Sequence, residues 1–211
     1  MQNEITQDIL TYIETVLGVA QIGITYSKNE FDTERFINLR KLSAELLAKL
    51  ENVHVEKAAK WIAYDEHYAT PKVDVRALVY DDCGKVLLIQ EKSDGLWTLP
   101  GGWCDTGESP AASVVREVLE ETGLKVAVAR LVAFFDKLKH EHPPQMPHAY
   151  KCFFLCKQNG GEILHTTNET LDCKYFAGDN LPRLSLDRVT ANQIANLTEH
   201  INSGKENCLF D

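Results

Sequence analysis

Three glutamates near the middle of the sequence have a spacing that suits metal binding. Glu117, Glu120 and Glu121 occupy positions i, i+3 and i+4 of a predicted helix, so their carboxylates share one helix face. Three like charges on one face repel one another, and a divalent cation would turn that repulsion into attraction. Oxygen ligands alone suit a hard ion such as Mg²⁺ or Mn²⁺, which also accepts phosphate oxygens. The alternative is a solvated acidic face.

A glycine loop, residues 101–107, comes just before this helix and favours the metal-site interpretation. Its glycines permit close approach of the backbone to an anion and a tight reversal into the helix. The helix is predicted over residues 110–122. Ser109 can cap its start, Pro110 suits its first position and Gly123 can end it.

The whole segment fits the Nudix box, Gly-x5-Glu-x7-Arg-Glu-U-x-Glu-Glu-x-Gly-U, in which U is an apolar residue. The pattern is filled without a departure by Gly102, Glu108, Arg116, Glu117, Val118, Glu120, Glu121, Gly123 and Leu124. The sequence therefore resembles the Nudix hydrolases. The resemblance implies an α/β (α+β) fold, a Nudix α/β/α sandwich with a mixed sheet, preceded by a small helical domain.

Further segments are similar to one bacterial subgroup that is usually labelled ADP-ribose pyrophosphatase and includes CDP-choline pyrophosphatases. These segments are residues 25–28, 31–36, 95–103, 148–151 and 184–190. The resemblance implies Mg²⁺-dependent hydrolysis of a nucleoside diphosphate linked to another moiety, with Mn²⁺ as a possible substitute. ADP-ribose would give AMP and ribose 5-phosphate, and CDP-choline would give CMP and phosphocholine.

The resemblance also implies which residues hold the metal. Glu117 and Glu121 would be the primary ligands, Glu120 would assist, and the backbone carbonyl of Gly101 is a further candidate. Glu108 is expected to be a structural or outer partner rather than the base.

Arg116 is expected to be one of the catalytic residues, because it can hold a carboxylate of the glutamate cluster through a two-pronged hydrogen bond. The general base is left open between two residues. Glu120 lies in the box, and Glu169 lies in a later loop where relatives often carry a catalytic or metal-binding glutamate.

Four residues are candidates for binding the substrate, namely Arg76, Gly102, Trp103 and Tyr150. Arg76 lies in an otherwise apolar strand and could meet a phosphate or a buried carboxylate. Trp103, like Trp97, flanks the glycine loop and could stack on a base or pack the sheet. Tyr150 and Lys151 alternate on a strand, so only one of them can face a pocket.

The net charge of the chain is −9, which disfavours binding to long nucleic acids because such affinity comes from Lys and Arg. It does not exclude a small anionic substrate held through a metal cation. RNA or nucleotide-sugar pyrophosphohydrolysis remains an alternative activity. A non-catalytic, nucleotide-sensing module is a further alternative, although such a module could lose carboxylates that this chain retains.

Residues 1–60 are predicted to form the helical domain, with a break at residues 23–29 and Asp32 as the cap of the second helix. Two apolar stripes recur at helical spacing, one formed by Ile5, Ile9, Ile13, Val16 and Ala20 and the other by Phe36, Leu39, Leu42, Leu46 and Leu50. Two helices cannot bury both stripes by themselves. A homodimer through these helices is therefore expected.

Residues 61–71 are interpreted as a linker, and residues 72–211 as the Nudix hydrolase domain. Strands are predicted at 73–80, 85–90, 126–136, 149–156, 162–165 and 173–176, and a second helix of this domain at 187–202. An Asp/Gly turn at residues 81–84 predicts a hairpin between the first two strands.

The six cysteines contain no Cys-x-x-Cys pair and are interpreted as buried small hydrophobic residues in a reducing cytosol rather than as a metal or disulfide framework. His140, His142 and His148 could suggest a site for a softer metal, which the hard-metal box disfavours. No signal peptide is recognised, and the longest apolar stretch, 126–135, is interrupted by Arg130. A soluble, cytoplasmic protein without a membrane partner is expected.

Overall fold

Three helices come first along the chain in the computed structural model, which describes residues 2–62, 70–143 and 147–211. They are α1 (Gln2–Tyr26), α2 (Glu30–Leu50) and α3 (Val55–Ile62), and they belong to the first of two compact units. The second unit contains α4 (Pro110–Thr122), α5 (Ala191–Asn202), β1 (Lys72–Val79), β2 (Val86–Glu91), β3 (Trp97–Thr98), β4 (Leu124–Asp136), β5 (Ala149–Gly161), β6 (Thr170–Phe176) and β7 (Leu209–Phe210). Residues 63–69, within the predicted linker, lie outside the described residues.

Helix α1 continues through Gly23, where a break was expected. A Cβ at Gly23 would lie 2.4 Å from the ring of Phe36, so the glycine lets α2 approach α1 closely. The cap of α2 is Asn29 rather than Asp32, because the Asn29 side chain accepts a hydrogen bond from the Phe31 N–H at 2.9 Å.

The buried face of α2 consists of small residues and one leucine, namely Ser43, Ala44, Leu47 and Ala48. Leu39, Leu42 and Leu46 of the predicted stripe are 36%, 59% and 48% exposed. These three leucines therefore remain on the surface of the protomer, whereas Phe36 and Leu50 of the same stripe pack within the first unit.

Helix α1 also presents apolar surface, with Tyr12 and Val19 exposed while Leu10 and Ile13 are buried. Among the described helices, α1 alone is long and apolar enough over Asp8–Tyr26 to cross a membrane, judged by length and composition. The stretch was not recognised in the sequence because its apolar residues are distributed around the helix and not gathered in one run.

The second unit contains two sheets. A mixed sheet has the order β1-β5-β4-β7, with β1 parallel to β5 and β4 antiparallel to β5. An antiparallel sheet has the order β3-β2-β6. Residues of both sheets meet α4 in one hydrophobic core and α5 in another. This arrangement confirms the expected α/β/α fold with a mixed sheet.

The predicted hairpin is wrong in one respect. The turn after β1 forms and Tyr80 pairs with Val86, but β1 and β2 then separate into different sheets. Both strands pair with strands that follow later in the sequence. Strand β1 pairs with β5, whereas β2 pairs with β3 and with β6. Turn residues predict the local reversal and not the strand partners.

The strand predicted at 162–165 is absent from the described structure of that segment. Instead, the Leu164 N–H donates to the carbonyl of Thr122 at the end of α4. Helix α5 begins at Ala191 and not at residue 187, because Thr190 and Gln193 form a capping box. All six cysteines are free thiols.

Candidate active site

Helix α4 carries the three central glutamates, and its two ends are those expected from the sequence. The Ser109 hydroxyl accepts a hydrogen bond from the Ala112 N–H (3.1 Å), and Gly123 ends the helix with a φ of 75°. Val114 and Val118 are fully buried in the core on one side of α4. Their burial sets the rotation of the helix about its axis and therefore the direction of its glutamates.

The segment that begins the glycine loop runs beside β1. The Val75 N–H donates to the Gly102 carbonyl and the Ala77 N–H to the Pro100 carbonyl, both at 2.8 Å. This pairing uses the carbonyls on either side of Gly101 and not that of Gly101 itself, which is the predicted metal ligand.

Gly101 and Gly102 bring this backbone into contact with two carboxylates of α4. The Gly101 N–H donates to Glu121 Oε2 at 2.7 Å. A Cβ at Gly101, whose φ is +137°, would lie 2.0 Å from the carbonyl oxygen of Val75, so only glycine fits there. A Cβ at Gly102 would lie 3.1 Å from Glu117 Oε1. The two glycines therefore allow the loop and the helix to meet.

Arg116 contacts three of the four box glutamates at once. Its Nε and Nη2 donate to the two oxygens of Glu108, each at 3.1 Å. Its Nη1 donates to Glu120 Oε2 at 2.9 Å and lies 3.0 Å from Glu117 Oε1. The two-pronged bond is thus made to Glu108, and it ties the loop to the helix. This bond raises the pKa of Arg116, and Arg116 lowers the pKa of Glu108.

Glu117 and Glu121 are buried, at 9% and 5% exposure. Burial raises the pKa of both carboxyls, that of Glu121 to about 8. The charge of Glu117 raises the pKa of Glu121 further, whereas the Gly101 N–H and Arg76 oppose the increase. Two buried carboxylates are costly in their charged form, and a nearby divalent cation would favour that form.

The chemistry of these donors fits a hard divalent ion, because all of them are carboxylate or carbonyl oxygens. In the described parts of the chain, no three His, Cys, Asp or Glu side chains form a ready cage for a metal ion. Arg116 and the Gly101 N–H bind the carboxylate oxygens instead. The residues therefore fit such an ion. To bind it, the carboxylates would give up their hydrogen bonds to Arg116 and to the Gly101 N–H.

Arg76 lies in a buried cluster of charges next to the glycine loop. Its Nε donates to Asp74 Oδ1 at 2.8 Å, and its Nη1 donates to the Leu99 carbonyl at 3.2 Å. Lys151 donates to the other oxygen of Asp74. Burial lowers the pKa of Lys151 to about 8, although the charge of Asp74 opposes that decrease. Of the two partners considered for Arg76, the structure shows the buried carboxylate.

Two charged residues of this region, Glu91 and Arg188, were assigned no role from the sequence, although Arg188 lies in the segment 184–190 that is similar to the bacterial subgroup. Glu91 ends β2, and its Oε1 lies 2.9 Å from Nε of Arg188. Thr170, the partner of Glu91 in β6, donates its hydroxyl to the carbonyl of Glu121 at 3.1 Å. One signal could have revealed Glu91, namely a carboxylate that ends a buried strand shortly before the glycine loop.

The aromatic candidates have separate surroundings. Trp103 is 49% exposed, whereas Trp97 packs edge-on against Phe176 with ring centroids 4.7 Å apart. Tyr150 packs against Phe134 with ring centroids 5.2 Å apart. Alternation along β5 turns Tyr150 to the opposite face from Lys151, so Tyr150 does not join the cluster around Asp74.

The two candidate bases are both exposed. Glu120 is held by Arg116, as described above. Glu169 precedes β6, and its carbonyl accepts a hydrogen bond from the N–H of Lys92, which follows β2. The backbone of Glu169 therefore lies near the residue pair Glu91 and Thr170, at the end of β2 nearest to Glu121.

The histidines do not supply a softer-metal site among the described residues. His140 contacts the Asp211 carboxylate, and His142 contacts the carbonyl of Leu186 and the amide of Gln193. Burial lowers the pKa of His142 to about 4.

Comparison with known families agrees with this geometry. Residues 70–197 match the family model of the NUDIX domain, and residues 7–62 match that of a UDP-X-like, N-terminal oligomerisation domain. The fold and the site are those of a Nudix hydrolase, and the chain belongs to the Nudix family. Nudix hydrolases generally use divalent metal ions.

Three similar proteins indicate that, within the Nudix family, this chain is a pyrophosphatase. A Bacillus subtilis (strain 168) protein is 39% identical over 198 residues, 94% of each chain, and its name assigns it provisionally to the ADP-ribose pyrophosphatases. The crystal structure of an ADP-ribose pyrophosphatase from Streptococcus suis 89-1591 is 44% identical with a TM-score of 0.60, over 67% of this chain and 100% of that one. The crystal structure of a UDP-X diphosphatase is 34% identical with a TM-score of 0.63, over 98% and 99%.

Proposed function

We propose that the protein hydrolyses the diphosphate bond of a nucleoside diphosphate linked to another moiety. ADP-ribose, giving AMP and ribose 5-phosphate, is the first candidate substrate. The observation that carries the proposal is the hydrogen bond between the Gly101 N–H and the buried Glu121 carboxylate, which joins the start of the glycine loop to the glutamate helix of a complete Nudix box. Two relatives bear the name of ADP-ribose pyrophosphatases.

UDP-linked nucleotides, including nucleotide sugars, are the second candidate class. The likeness to the UDP-X diphosphatase extends over 98% of this chain and thus includes the helical N-terminal unit. CDP-choline, giving CMP and phosphocholine, is retained because the sequence resembles a subgroup that acts on it.

Mg²⁺ is the proposed ion, with Mn²⁺ as a substitute. Glu117 and Glu121 would hold it, assisted by Glu120 and the Gly101 carbonyl. When bound, the ion would neutralise charge on the diphosphate and make the attacking water more acidic. Glu108 would not bind the metal ion itself. It would hold Arg116 in the position from which Arg116 contacts the other glutamates.

The chain's own groups would bind and orient the substrate. Arg76 has five N–H donors, and Asp74 and Leu99 use only some of them, so we propose that it also contacts a phosphate. The Gly102 backbone would lie against the diphosphate, while Trp103 and Tyr150 are the aromatic candidates for the nucleoside.

The general base is proposed to be Glu169 or Glu120, and the two can be separated by isosteric substitution. The residue that takes the proton from water should lose about 100-fold or more in kcat when changed to glutamine. We expect one of Glu169→Gln and Glu120→Gln to show this loss. Near wild-type kcat would remove that residue from the base role.

Two other functions are disfavoured. Removal of RNA caps or ends would require basic surface, whereas residues 69–211 have 15 basic and 20 acidic side chains. A non-catalytic sensor would not need four box glutamates, and this chain retains all of them.

The deciding experiment is a substrate panel of ADP-ribose, CDP-choline, UDP-sugars, dinucleoside polyphosphates and 8-oxo-dGTP with Mg²⁺ or Mn²⁺. Glu121→Gln keeps an oxygen for the Gly101 N–H but removes the charge, so kcat/KM should fall about 100-fold or more. Glu199→Gln, on the exposed side of α5, is the matched control and should retain full activity. A wild-type protein that leaves every substrate intact would contradict the proposal.

We further propose that the protein works as a cytoplasmic homodimer joined through the N-terminal helices. The apolar residues that α1 and α2 leave exposed support this, as does the match of residues 7–62 to an oligomerisation domain.

A further inference from the structure

Arg188 binds four side chains from two neighbouring segments. Its Nε lies 2.9 Å from Glu91 Oε1, and its Nη1 lies 3.3 Å from Asp94 Oδ2. The same Nη1 donates to the Ser185 hydroxyl at 3.0 Å, and Nη2 donates to the Ser93 hydroxyl at 3.1 Å. One guanidinium therefore ties the end of β2 and the turn after it to the residues just before α5.

Glu91 connects this group of contacts to the active site. Its side chain is only 13% exposed, and it pairs in the sheet with Thr170, whose hydroxyl binds the carbonyl of Glu121. The charge of Glu91 raises the pKa of both Glu121 and Arg76, so the carboxylate is electrostatically coupled to both side chains. Glu91 is thus a further carboxylate beside the site proposed for an anionic diphosphate.

Arg188 is the cation that contacts Glu91 directly. The nearby Arg76 is paired with Asp74 and the Leu99 carbonyl, and its remaining donors are those proposed above for a phosphate. Arg116 is bound to three box glutamates. Without Arg188, Glu91 would lose its direct ion pair, and its charge would repel a diphosphate more strongly.

We propose that Arg188 is a positioning residue of the active site, which holds the Glu91 carboxylate neutralised so that a nucleoside diphosphate can bind beside it. The inference rests on the proposed function, because it assumes an anionic diphosphate near Glu121. Arg188 need not touch the substrate to act in this way. Its effect is transmitted through Glu91.

A residue that neutralises Glu91 and a residue that only holds two segments together differ in one measurable respect. If Arg188 only held the two segments together, removing Glu91 as well would leave the variant as impaired as before or more so. If Arg188 serves to neutralise Glu91, then removing the carboxylate should restore substrate binding. A double-mutant cycle separates the two roles.

The variants are Arg188→Gln, Glu91→Gln and the double variant, with Lys157→Gln as the control. Lys157 is an exposed cation on β5, so its substitution removes the same formal charge from the surface. KM and kcat are measured with ADP-ribose and Mg²⁺, or with whichever panel substrate is turned over. The Kd of the non-hydrolysable α,β-methylene-ADP with Mg²⁺ and the melting temperature without metal are measured alongside.

Arg188→Gln should raise KM and the Kd of α,β-methylene-ADP about tenfold while lowering kcat less than about threefold. The double variant should return both constants to within about threefold of wild type. Lys157→Gln should change neither. If Arg188→Gln does not fold, Arg188→Lys replaces it. Lysine keeps the positive charge but has fewer hydrogen-bond donors, so the Kd of Arg188→Lys should exceed that of the wild type by less than about tenfold.

Unchanged KM and Kd in Arg188→Gln would overturn the inference, as would a double variant no better than the single one. A wild-type protein that turns over no panel substrate would overturn the proposed function. The Kd series would still decide the role of Arg188 in that case, because it requires no turnover.

Discussion

Buried charges of the second unit are balanced by partners from distant parts of the chain. Asp74 of β1 lies between Arg76 of the same strand and Lys151 of β5, and all three are at most 5% exposed. Removing one partner of such a group leaves an uncompensated buried charge, which lowers the free energy of unfolding far more than the loss of a surface ion pair does. The pair Asp172 and Lys174 of β6, whose side chains are 21% and 55% exposed, provides a less buried comparison within the same protein.

Asp74→Asn should lower the free energy of unfolding by about 3–5 kcal/mol, because Lys151 and Arg76 would lose their shared carboxylate. Asp172→Asn, the control at a less buried ion pair, should lower the free energy of unfolding by less than about 1 kcal/mol. Chemical denaturation at neutral pH measures both values. Equal losses in the two variants would contradict the argument.

The stability difference made by Asp74 should also depend on pH. Burial alone would raise the pKa of Asp74, but the charges of Arg76 and Lys151 lower it below its ordinary value of 3.8. A lowered pKa in the folded state stabilises the protein above pH 3.8, and that contribution is lost as the pH falls through the folded pKa. Wild type and Asp74→Asn should therefore converge in stability in strong acid.

The three central glutamates were predictable from the sequence because their spacing places them on one face of a helix. Glu91 and Arg188 were not, because each is an ordinary charged residue until the fold brings β2 beside the segment before α5. The partner of Arg76 was left open for the same reason. Asp74 is two residues away on the same strand, but only the packing of β5 shows that this face is buried.

At the scale of elements, Gly23 sets the distance between α1 and α2. A glycine inside a helix usually lowers its stability, so Gly→Ala in a helix interior is generally favourable by about 0.5–1 kcal/mol. Gly18, in the same helix, has open space around the position of a Cβ, whereas Gly23 faces the ring of Phe36 at 2.4 Å. The two glycines therefore form an internal comparison.

Gly23→Ala should destabilise the protein by about 1–2 kcal/mol, because the added methyl group would displace the Phe36 ring. Gly18→Ala should be neutral or stabilising by up to about 1 kcal/mol. In a Phe36→Ala background the cost of Gly23→Ala should disappear. Thermal unfolding followed by circular dichroism measures the wild type and the four variants, and equal effects at both glycines would refute the packing argument.

Helix α4 was predictable to the residue because its start and end are set by local groups, Ser109 and Gly123. The partners of β1 and β2 were not, because strand pairing depends on segments that follow much later in the chain. The short strands β3 and β7 carry too few residues to show a periodic pattern.

At the scale of the whole molecule, the second unit buries its apolar residues in two cores while the first unit leaves many of its own exposed. The exposed residues of α1 and α2 are large and include aromatic side chains. Such an exposed apolar surface is typical of a contact with another chain. In the dimer proposed above, the exposed apolar residues of α1 would belong to the interface between two copies.

The double variant Leu42→Glu/Leu46→Glu should convert the proposed dimer into a monomer. Both residues lie one helical turn apart on α2 and are about half exposed, so glutamate is compatible with the helix but would place charges within the interface. Leu171→Glu, a similarly exposed position on β6, is the control and should leave the mass unchanged. Sedimentation equilibrium measures the mass of each protein. A monomeric wild type, or a double variant that remains dimeric while folded, would show that this face of α2 does not join two copies of the chain.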